Sequence, residues 1–570
     1  MSPGLNGGGA DGGRAELPAL LARDWDLLII GGGITGAGIL LEAARRGLKA
    51  LLVEQRDFAW GTSSRSSKLV HGGLRYLKEG KFGLTRESVQ EREHLLREAA
   101  GLVEPQSFAF GDYRGRKPGR RMFQLGLAIY DLMAGQRARH HYNRADFLAL
   151  APNVATTDLE GGMCYTDAKT DDARLVLRVL HEAQRHGGVA VNYLAVEQLL
   201  RADGEAAHAA APTGAQSAAQ DSPQGGSQGA TQSAMHGAAT GQGGAVCGAR
   251  LRDGISGATY QVRARLVVSA TGAWADGLRA QGGAEPRLRP LRGSHLVLPA
   301  WRLPLAQAVS LMHPADGRPV FAFPWEGVTL VGTTDVDHRD NMAHEAAITR
   351  AEVDYLMAAL HDQFPQLALV ERDIIATYAG VRPVIDSGQS DPSKEGREHA
   401  LWLENGLLTV TGGKLTTFRV IALDALKKAA PLLPGWDAAL QPQPVFIQPP
   451  PLRYNRRLSV SQAARLRGRY GLQAQALVDA AHEGELETIA GSETIWAQLR
   501  WAARGEAVQK LEDLLLRRTR LGLQLRGGGV EVMARVRAIC QPELGWSDAR
   551  WSAEQNAYLA LWNSHYSLPA

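Results

Sequence analysis

The chain has 570 residues, of which 63 are Lys or Arg and 59 are Asp or Glu. A single hydrophobic core stops growing near ~250–300 residues, so this length predicts two to four domains. The balanced charge, with a net value of +4, gives no support for a nucleic-acid partner. The cysteines Cys164, Cys247 and Cys540 are far apart, so the sequence predicts neither a disulfide framework nor a metal site, and it is typical of a cytoplasmic protein.

Three segments have compositions that indicate extensions or boundaries. Residues 1–13 are rich in glycine and contain no basic residue or apolar run, so we interpret 1–23 as a disordered extension and not as a signal peptide. Residues 204–244 consist largely of Ala, Gly, Gln and Ser, which predicts a disordered insertion inside a domain. The proline-rich stretch 431–451 predicts a domain boundary, and apolar residues at helical spacing follow it.

The first motif opens the ordered part of the chain. A buried parallel strand is predicted at Leu27–Ile30, and Gly31, Gly33 and Gly36 follow it with the Gly-x-Gly-x-x-Gly spacing before a helix. In this context the glycines allow a tight turn and a close approach to a pyrophosphate at the helix N-terminus. A second strand ends at Glu54, where a carboxylate accepts hydrogen bonds from ribose hydroxyls. The motif therefore predicts FAD or NAD and disfavours NADP.

Two further glycine turns favour FAD over NAD. A predicted strand runs into Gly272, and another runs into Gly412 and Gly413. Glycine at the end of a strand lets the backbone approach another group closely, although either turn alone could be purely structural. Turns this far apart in sequence favour a long cofactor that crosses the whole domain.

The most specific motif is the block Gly61–Tyr76, with the sequence GTSSRSSKLVHGGLRY. With this block the chain resembles the FAD-dependent glycerol-3-phosphate dehydrogenase family, and the resemblance extends in order from Asp24 to about Gly522. The further matching segments are Tyr165–Asp167, Asp171–Leu175, Arg292–His295, Gly332–Asp335, Gly380–Pro383, Gly412–Thr417 and Arg517–Arg520.

The resemblance implies a fold and a domain order. It implies an α/β protein with a Rossmann-like FAD-binding domain, an inserted α+β substrate or cap domain, and an all-α C-terminal domain. We assign 24–104, 160–282 and 370–430 to the FAD-binding domain, and 105–159 and 283–369 to the substrate domain. The helical C-terminal domain is assigned to 441–570.

The resemblance also implies an activity: oxidation of sn-glycerol 3-phosphate to dihydroxyacetone phosphate, with electrons passed through FAD to membrane quinone. Gly31, Gly33, Gly36 and Glu54 would hold the ADP half of FAD. The residues that would line the flavin path are Thr62, Ser63, Ser64 and Lys68, and those at its ribityl and isoalloxazine end are Gly413, Leu415 and Thr416. Arg75, Arg382 and Lys414 would surround the substrate.

The expected chemistry needs these residue types. A phosphomonoester requires cations, and arginine binds its oxygens through two parallel hydrogen bonds. Transfer of a hydride from an alcohol to flavin also needs a base for the hydroxyl proton. His71, His295 and Lys414 are the candidates for this base, and the sequence does not choose among them.

A basic and apolar zone is the candidate membrane contact. Arginines and a lysine between Arg114 and Arg139 enclose an apolar stretch that includes Phe123. Such a segment suits an anionic membrane surface, but it equally suits a cap-domain helix whose apolar side is core. Because quinone reduction requires access to lipid, we favour a peripheral protein on the inner face of the cytoplasmic membrane.

Alternative functions share the same fold. A glycerol-3-phosphate oxidase would pass electrons to molecular oxygen, and an amine or amino-acid oxidase would act on another substrate class. A flavin-binding regulatory protein without turnover is disfavoured because Arg75, Arg382 and Lys414 are all present. The sequence does not determine the oligomeric state, and a homodimer is one assembly that we consider.

Overall fold

A computed structural model describes residues 14–74, 77, 80–115, 119–135, 138–202, 244–392, 395–453 and 456–569. The strands, numbered β1 to β18, are Trp25–Ile30, Ala50–Val53, Leu69–Val70, Val103–Tyr113, His140–Asn143, Leu159–Thr170, Val189–Val191, Leu194–Arg201, Val246–Asp253, Thr259–Ser269, Leu288–Pro299, Ala308–Met312, Pro319–Trp325, Val328–Gly332, Val336–Asp337, Ala376–Ile385, His399–Glu404 and Leu407–Gly412. The helices, numbered α1 to α15, are Leu17–Leu21, Ile34–Ala44, Phe82–Glu98, Arg120–Ala134, Arg144–Leu150, Asp172–Arg185, Ala275–Ala280, Arg350–Gln363, Phe418–Ala429, Val460–Tyr470, Ala474–Asp479, Trp496–Gly505, Leu521–Gln524, Met533–Leu544 and Asp548–His565.

The first sheet carries the predicted nucleotide-binding strands. Its order is β17-β18-β10-β1-β2-β7, and the strands from β18 to β7 are parallel. Helices α2, α6 and α9 share one buried cluster that includes Leu40, Val176 and Ala422. Helix α2 approaches α9 closely, because a Cβ on Gly38 would lie 3.0 Å from the Phe418 ring. The sheet and its helices confirm the Rossmann-like prediction.

The second sheet is mainly antiparallel and lies beside the first. Its order is β15-β11-β14-β13-β12-β4-β6-β3, with β16 paired to β11 and β5 paired to β6. Helix α8 packs against this sheet through Val353, Leu356 and Leu360. Strands β6 and β16 belong to this sheet, although their residues fall largely in ranges that we assigned to the FAD-binding domain. The division of the chain into domains stays a prediction.

The C-terminal part of the chain is helical, as predicted, from α10 to α15. It is tied to the first sheet by buried ion pairs. Arg518 contacts Asp57 at 2.6 Å, and Arg174 contacts Glu506 at 2.5 Å, with all four side chains fully buried. These pairs fix the helical domain against the loop that follows β2, through Asp57, and against helix α6, through Arg174.

One prediction about the chain outside the sheets is wrong. The proposed disordered extension 1–23 includes α1, in which Leu17, Leu20 and Leu21 pack into the cluster that contains Trp25 and Leu28. Three leucines at helical spacing bury enough apolar surface to fix this short helix. Residues 1–13 lie outside the described part of the chain.

The predicted insertion at 204–244 also lies outside the described residues, except for Gly244. The strands on either side of it, β8 and β9, are paired antiparallel from Leu194 and Asp253 to Arg201 and Val246. In the part of the chain that is described, none of the helices combines the length and the apolar character needed to cross a membrane.

Candidate active site

The three predicted glycine turns meet at one edge of the first sheet. Ile30 in β1 is level with Ser269 in β10, and Ser269 is level with Thr409 in β18. Because these neighbouring strands are parallel, the turns that follow them lie side by side along their carboxyl ends. This edge is a continuous cradle for an extended ligand.

The first turn requires glycine at two positions for steric reasons. Gly31 has φ +115, and a Cβ there would lie 2.5 Å from the carbonyl oxygen of Ala270. A Cβ on Gly36 would lie 1.9 Å from the carbonyl oxygen of Gly31. Gly33 precedes α2 in an extended conformation, and the N–H of Ile34 donates to Ser63 Oγ at 3.0 Å. The turn therefore packs tightly against both the neighbouring strand and the 62–64 segment.

Glu54 reaches back to the first turn. Its Oε2 accepts from the N–H of Gly32 at 2.7 Å, and its Oε1 accepts from the N–H of Arg56 at 2.8 Å. Burial raises the pKa of Glu54, while these two N–H groups oppose the shift. The carboxylate therefore lies beside the helix N-terminus, where a ribose next to a pyrophosphate would be placed.

The 62–68 block is held by contacts from several parts of the chain. Thr62 Oγ1 donates to the carbonyl of Val381, and the carbonyl of Ser64 accepts from Arg520 Nη2 at 2.7 Å. The sequence placed Lys68 along the flavin, but its side chain is fully buried and its ammonium lies 2.9 Å from Asp172. Burial lowers the pKa of Lys68 to about 7. These contacts give the Lys68 side chain a supporting role beneath the block.

The last turn brings the predicted residues at 413–416 beside His71. Gly413 has φ +74, and a Cβ there would lie 2.5 Å from Ile421, which explains the glycine. Leu415 packs against the core of the first sheet. Thr416 Oγ1 donates to the carbonyl of His71 at 3.3 Å. Thus the end of β18 contacts the GTSSRSSKLVHGG block.

Two arginines share one carboxylate at the edge of the second sheet. Arg382 Nη1 donates to Asp335 Oδ1 at 2.7 Å, and Arg397 Nη2 donates to Asp335 Oδ2 at 2.9 Å. Arg382 Nη2 also donates to Thr333 Oγ1 at 3.1 Å. Gly293 makes room for this arrangement, since a Cβ there would lie 2.4 Å from Arg382 Nη2.

His71 lies near Lys414 and one arginine of this pair, Arg397. Burial, with the positive charges of Lys414 and Arg397, lowers the pKa of His71 to about 4, although Asp167 opposes the shift. Lys414 Nζ donates to Ser88 Oγ at 2.9 Å. A half-buried neutral imidazole therefore lies among cations, an arrangement that suits a proton acceptor next to an anionic substrate.

The backbone beside His71 is fixed by a buried network. The N–H of Gly72 lies 3.0 Å from Asp167 Oδ1 and 2.9 Å from the hydroxyl of Tyr130. Arg92 donates to the same Asp167 oxygen at 2.6 Å. Any side chain at Gly72 would overlap the Tyr130 hydroxyl, at 2.3 Å. This network anchors the turn that carries His71, and sequence reasoning did not find it.

His295 occupies a different environment. Its ring stacks on Tyr378 with centroids 4.5 Å apart, and Nε2 lies 3.0 Å from Ser67 Oγ. A Cβ on Gly332 would lie 2.2 Å from the ring. Burial, with Lys68 and Arg382 nearby, keeps the pKa of His295 well below its usual value. Enclosed in this way, His295 suits packing better than proton transfer.

Comparisons with known proteins bear on both parts of the chain. Residues 26–419 match the family model described as FAD dependent oxidoreductase. Residues 438–551 match the model described as C-terminal domain of alpha-glycerophosphate oxidase. Glycerol-3-phosphate dehydrogenase 2 of Mycobacterium tuberculosis is 33% identical over 559 residues, which cover 94% of this chain and 88% of that protein. The chain belongs to the FAD-dependent glycerol-3-phosphate dehydrogenase family.

Other members of this family are similar at lower coverage or identity. The aerobic glycerol-3-phosphate dehydrogenase of Staphylococcus aureus is 35% identical, covering 70% of this chain and 66% of that protein. The crystal structure of the glycerol-3-phosphate dehydrogenase from Bacillus halodurans, complexed with FAD, has a TM-score of 0.71 at 26% identity and covers 97% of this chain and 98% of that one. These findings confirm the predicted fold and FAD cofactor and show an FAD-dependent enzyme family, while the quinone acceptor stays a prediction.

The residues of this family member fit FAD on geometric grounds. Gly272 has φ +56, and a Cβ on it would meet no atom within 4 Å, so the middle turn is open where a cofactor would pass. Gly31 in the first turn and Gly413 in the last turn, on either side of it, are crowded, since a Cβ on each would lie 2.5 Å from a neighbouring atom. The open turn between two crowded ones matches a ligand that is bound through backbone contacts.

Several placements go beyond the sequence-based prediction for this chain. Arg75 lies outside the described residues, so its predicted role stays a prediction. Arg397 and the partner role of Asp335 were missed. Arg397 sits in a polar loop with Glu395 and Glu398, and such a cluster of charges is usually a solvated surface. Only the shared contact with Asp335 distinguishes it.

Proposed function

We propose that this protein oxidises sn-glycerol 3-phosphate to dihydroxyacetone phosphate and passes the electrons to membrane quinone. The observation that carries the substrate assignment is the Arg382–Asp335–Arg397 arrangement, with Lys414 nearby. One arginine is sufficient for a carboxylate, whereas a dianionic phosphate needs more than one cation when it leaves water. This favours a phosphate ester over an amino acid.

We assign His71 as the base. Its neutral imidazole accepts the proton of the substrate hydroxyl, and Lys414 stabilises the negative charge that develops on that oxygen. A bound phosphate offsets the charge of Arg397 and Lys414, so it raises the pKa of His71 toward the pH at which the reaction runs. His295 and Lys68 would then support the site from beneath.

The cofactor would be held by residues of the glycine cradle. Gly31, Gly33, Gly36 and Glu54 would bind its ADP half. The residues that would follow the flavin are Thr62, Ser63, Ser64, Gly272, Gly413, Leu415 and Thr416. When bound, FAD supplies a hydride acceptor at N5.

Quinone is the proposed acceptor, and oxygen is the second candidate. The relative in Staphylococcus aureus is named an aerobic glycerol-3-phosphate dehydrogenase, which favours respiratory electron transfer. The oxidase name of the model that matches 438–551 favours oxygen instead. The proposed function predicts that the anaerobically reduced protein is reoxidised faster by a soluble quinone analogue than by an equal concentration of oxygen. Stopped-flow absorbance measures both rates, and faster reoxidation by oxygen would make the protein an oxidase.

Helix α4 supports contact with a membrane. Its inner side is buried at Leu127 and Tyr130, and Tyr130 contacts the backbone beside His71. On its outer side Met122, Leu125 and Leu132 are 70%, 61% and 83% exposed. These three positions are three and seven residues apart and form one apolar stripe. We therefore propose that this stripe rests on anionic lipid close to the redox site.

Arginines flank the stripe at the N-terminus of α4. Arg120 and Arg121 are exposed there, whereas Arg114 and Arg139 form ion pairs with Glu160 and Asp131. The flanking residues 116, 117 and 137 lie outside the described residues. Exposed cations beside apolar residues are typical of helices that bind anionic membrane surfaces.

The membrane proposal predicts the effect of placing charge on the stripe. Replacing Leu125 and Leu132 together by glutamate should weaken binding to acidic phospholipid vesicles by at least about a hundredfold, since each leucine contributes about 1.5–3 kcal/mol when buried. Folding and FAD content should not change, because both side chains are exposed. Sedimentation with vesicles measures the binding.

Val460→Glu is the matched control for this prediction, because Val460 is 89% exposed at the start of α10. It should bind vesicles as the parent does. Parental binding by the Leu125 and Leu132 variant, or an equal loss in the Val460 variant, would place the membrane contact elsewhere.

A further inference from the structure

We propose that Asp335 is an internal counter-anion of the phosphate site. It aligns Arg382 and Arg397 for the phosphate of the substrate and weakens the binding of free inorganic phosphate. This inference rests on the proposed function, in which these two arginines bind that phosphate.

The geometry of the carboxylate carries the first half of the inference. Asp335 gives one oxygen to each arginine, with N to O distances of 2.7 Å and 2.9 Å. A guanidinium has five N–H donors, and the contact with Asp335 engages one terminal nitrogen of each arginine. A carboxylate and one edge of a phosphate present similar pairs of oxygens to arginine. Asp335 therefore holds the two guanidinium groups at a spacing that a phosphate can use.

The position of Asp335 is fixed by its own backbone and by the preceding residue. The backbone carbonyl of Asp335 accepts from Arg318 Nη1 at 3.2 Å. The preceding residue, Thr334, accepts from the N–H of Ser294 at 2.9 Å and donates to Glu352 at 2.7 Å. Because these contacts are independent of Arg382 and Arg397, Asp335 keeps its position when substrate engages the arginines. Alignment before binding lowers the ordering cost of binding.

The charge of Asp335 carries the second half of the inference. Arg382, Arg397 and Lys414 would attract any small anion, and Asp335 offsets one of these three charges. The side chain of Asp335 is only 9% exposed, so solvent screens this effect weakly. Inorganic phosphate has no further group that could contact the site, whereas the substrate adds contacts of its glycerol part near His71. Because the substrate has these additional contacts, it still binds at concentrations where inorganic phosphate leaves the site largely empty.

The test is calorimetric titration of the FAD-loaded protein with inorganic phosphate. Asp335→Asn should bind phosphate about tenfold more tightly than the parent, since it removes a negative charge beside the anion. The inhibition constant of phosphate against sn-glycerol 3-phosphate should fall by a similar factor.

Asp337→Asn is the matched control, because it makes the same charge change two residues away. Asp337 pairs with Arg289, at 2.6 Å and 3.0 Å, and not with Arg382 or Arg397. Its phosphate affinity should stay within about twofold of the parent, since salt screens more distant charges. The proposal is overturned if Asp335→Asn binds phosphate no more tightly than the parent. It is also overturned if Asp337→Asn tightens binding equally.

Asp335→Glu tests the alignment without a change of charge, and it decides the question if Asp335→Asn fails to retain FAD. The longer side chain should displace the two guanidinium groups, so the KM should rise by about fivefold or more while phosphate binding stays as weak as in the parent. An unchanged KM or tighter phosphate binding would overturn the proposal.

Failure of the proposed function can be distinguished from failure of this inference, because calorimetry measures phosphate binding without turnover. A parent that binds phosphate but is not reduced by sn-glycerol 3-phosphate would therefore contradict the proposed function separately.

Discussion

Replacing Arg382 by lysine should lower kcat/KM for sn-glycerol 3-phosphate by about a hundredfold, because lysine keeps the charge but loses the planar donor pair, a loss of about 2–3 kcal/mol. In the structure Arg382 uses one terminal nitrogen on Asp335 and the other on Thr333. A lysine ammonium cannot hold both positions at once. FAD content and the flavin spectrum should stay normal, since the side chain of Arg382 donates to Asp335 and Thr333, which are not among the residues assigned to the cofactor.

The informative quantity is the ratio of kcat/KM for sn-glycerol 3-phosphate to kcat/KM for glycerol. Glycerol lacks the phosphate, so it should be a very poor substrate that the substitution scarcely affects. Arg289→Lys is the matched control, because Arg289 also makes a two-bond contact with an aspartate, Asp337, at the same edge of the sheet. That variant should keep the parental ratio.

A second variant perturbs Arg382 without replacing it. Gly293→Ala introduces a Cβ that would lie 2.4 Å from Arg382 Nη2 and 2.6 Å from Thr333 Oγ1. Displacement of the guanidinium should lower the same ratio. If the ratio is parental in both Arg382→Lys and Gly293→Ala, then Arg382 does not recognise the phosphate and the orientation of the substrate is wrong.

The second large effect concerns stability. Asp57→Asn should destabilise the protein by about 3–5 kcal/mol, because it leaves buried arginines without their counter-charge. Arg518 contacts both oxygens of Asp57, at 2.6 Å and 2.7 Å, and Arg517 contacts Oδ2 as well. Although burial alone would raise the pKa of Asp57, Arg518 and Arg517 hold it below its usual value. The carboxylate is therefore ionised and is needed as a charge.

The loss should also affect the cofactor. Asp57 lies between Glu54 and Ala59, and the N–H of Ala59 donates to the carbonyl of Gly32 at 3.0 Å in the first glycine turn. We therefore expect Asp57→Asn to release FAD at a lower denaturant concentration than the parent. Flavin fluorescence and circular dichroism, followed during denaturant titration, measure the two effects together.

The control for this prediction is an ion pair of the same helical domain that is open to solvent. Arg504 is 41% exposed and contacts Glu543 at 2.6 Å, so Arg504→Gln should cost no more than about 1 kcal/mol. Equal shifts in the unfolding midpoint for Asp57→Asn and Arg504→Gln would contradict the assigned role of the buried cluster.

The glycine cradle was predictable because its signals are local. A buried strand that runs into glycine identifies each of the three turns, and parallel pairing brings the turns at Gly31, Gly272 and Gly413 to one edge. The phosphate site was only partly predictable. Arg382 was found through the family resemblance, but Arg397 becomes recognisable only through Asp335, which lies 62 residues earlier in the chain. Long-range contacts of this kind leave no pattern in a single sequence.

Helix α4 illustrates another limit of sequence reasoning. Its apolar residues were consistent either with a core helix or with a membrane contact. In the structure Leu127 and Tyr130 are core residues while Leu125 and Leu132 are exposed. The apolar composition of the segment does not show which residues lie on the buried face and which on the exposed face. The core-helix and membrane-contact interpretations therefore both remained open. The short helix α1 was missed because only three leucines carry its packing.

We propose that this flavoprotein takes electrons from sn-glycerol 3-phosphate. The most direct measurement is the absorbance of the oxidised flavin after sn-glycerol 3-phosphate is added to the purified protein without oxygen. The arginine pair, Lys414 and His71 predict rapid and complete bleaching by sn-glycerol 3-phosphate, and little bleaching by glycerol or by glycine at the same concentration. A flavin that stays oxidised with sn-glycerol 3-phosphate, or that glycine reduces at least as fast, would contradict the proposed function.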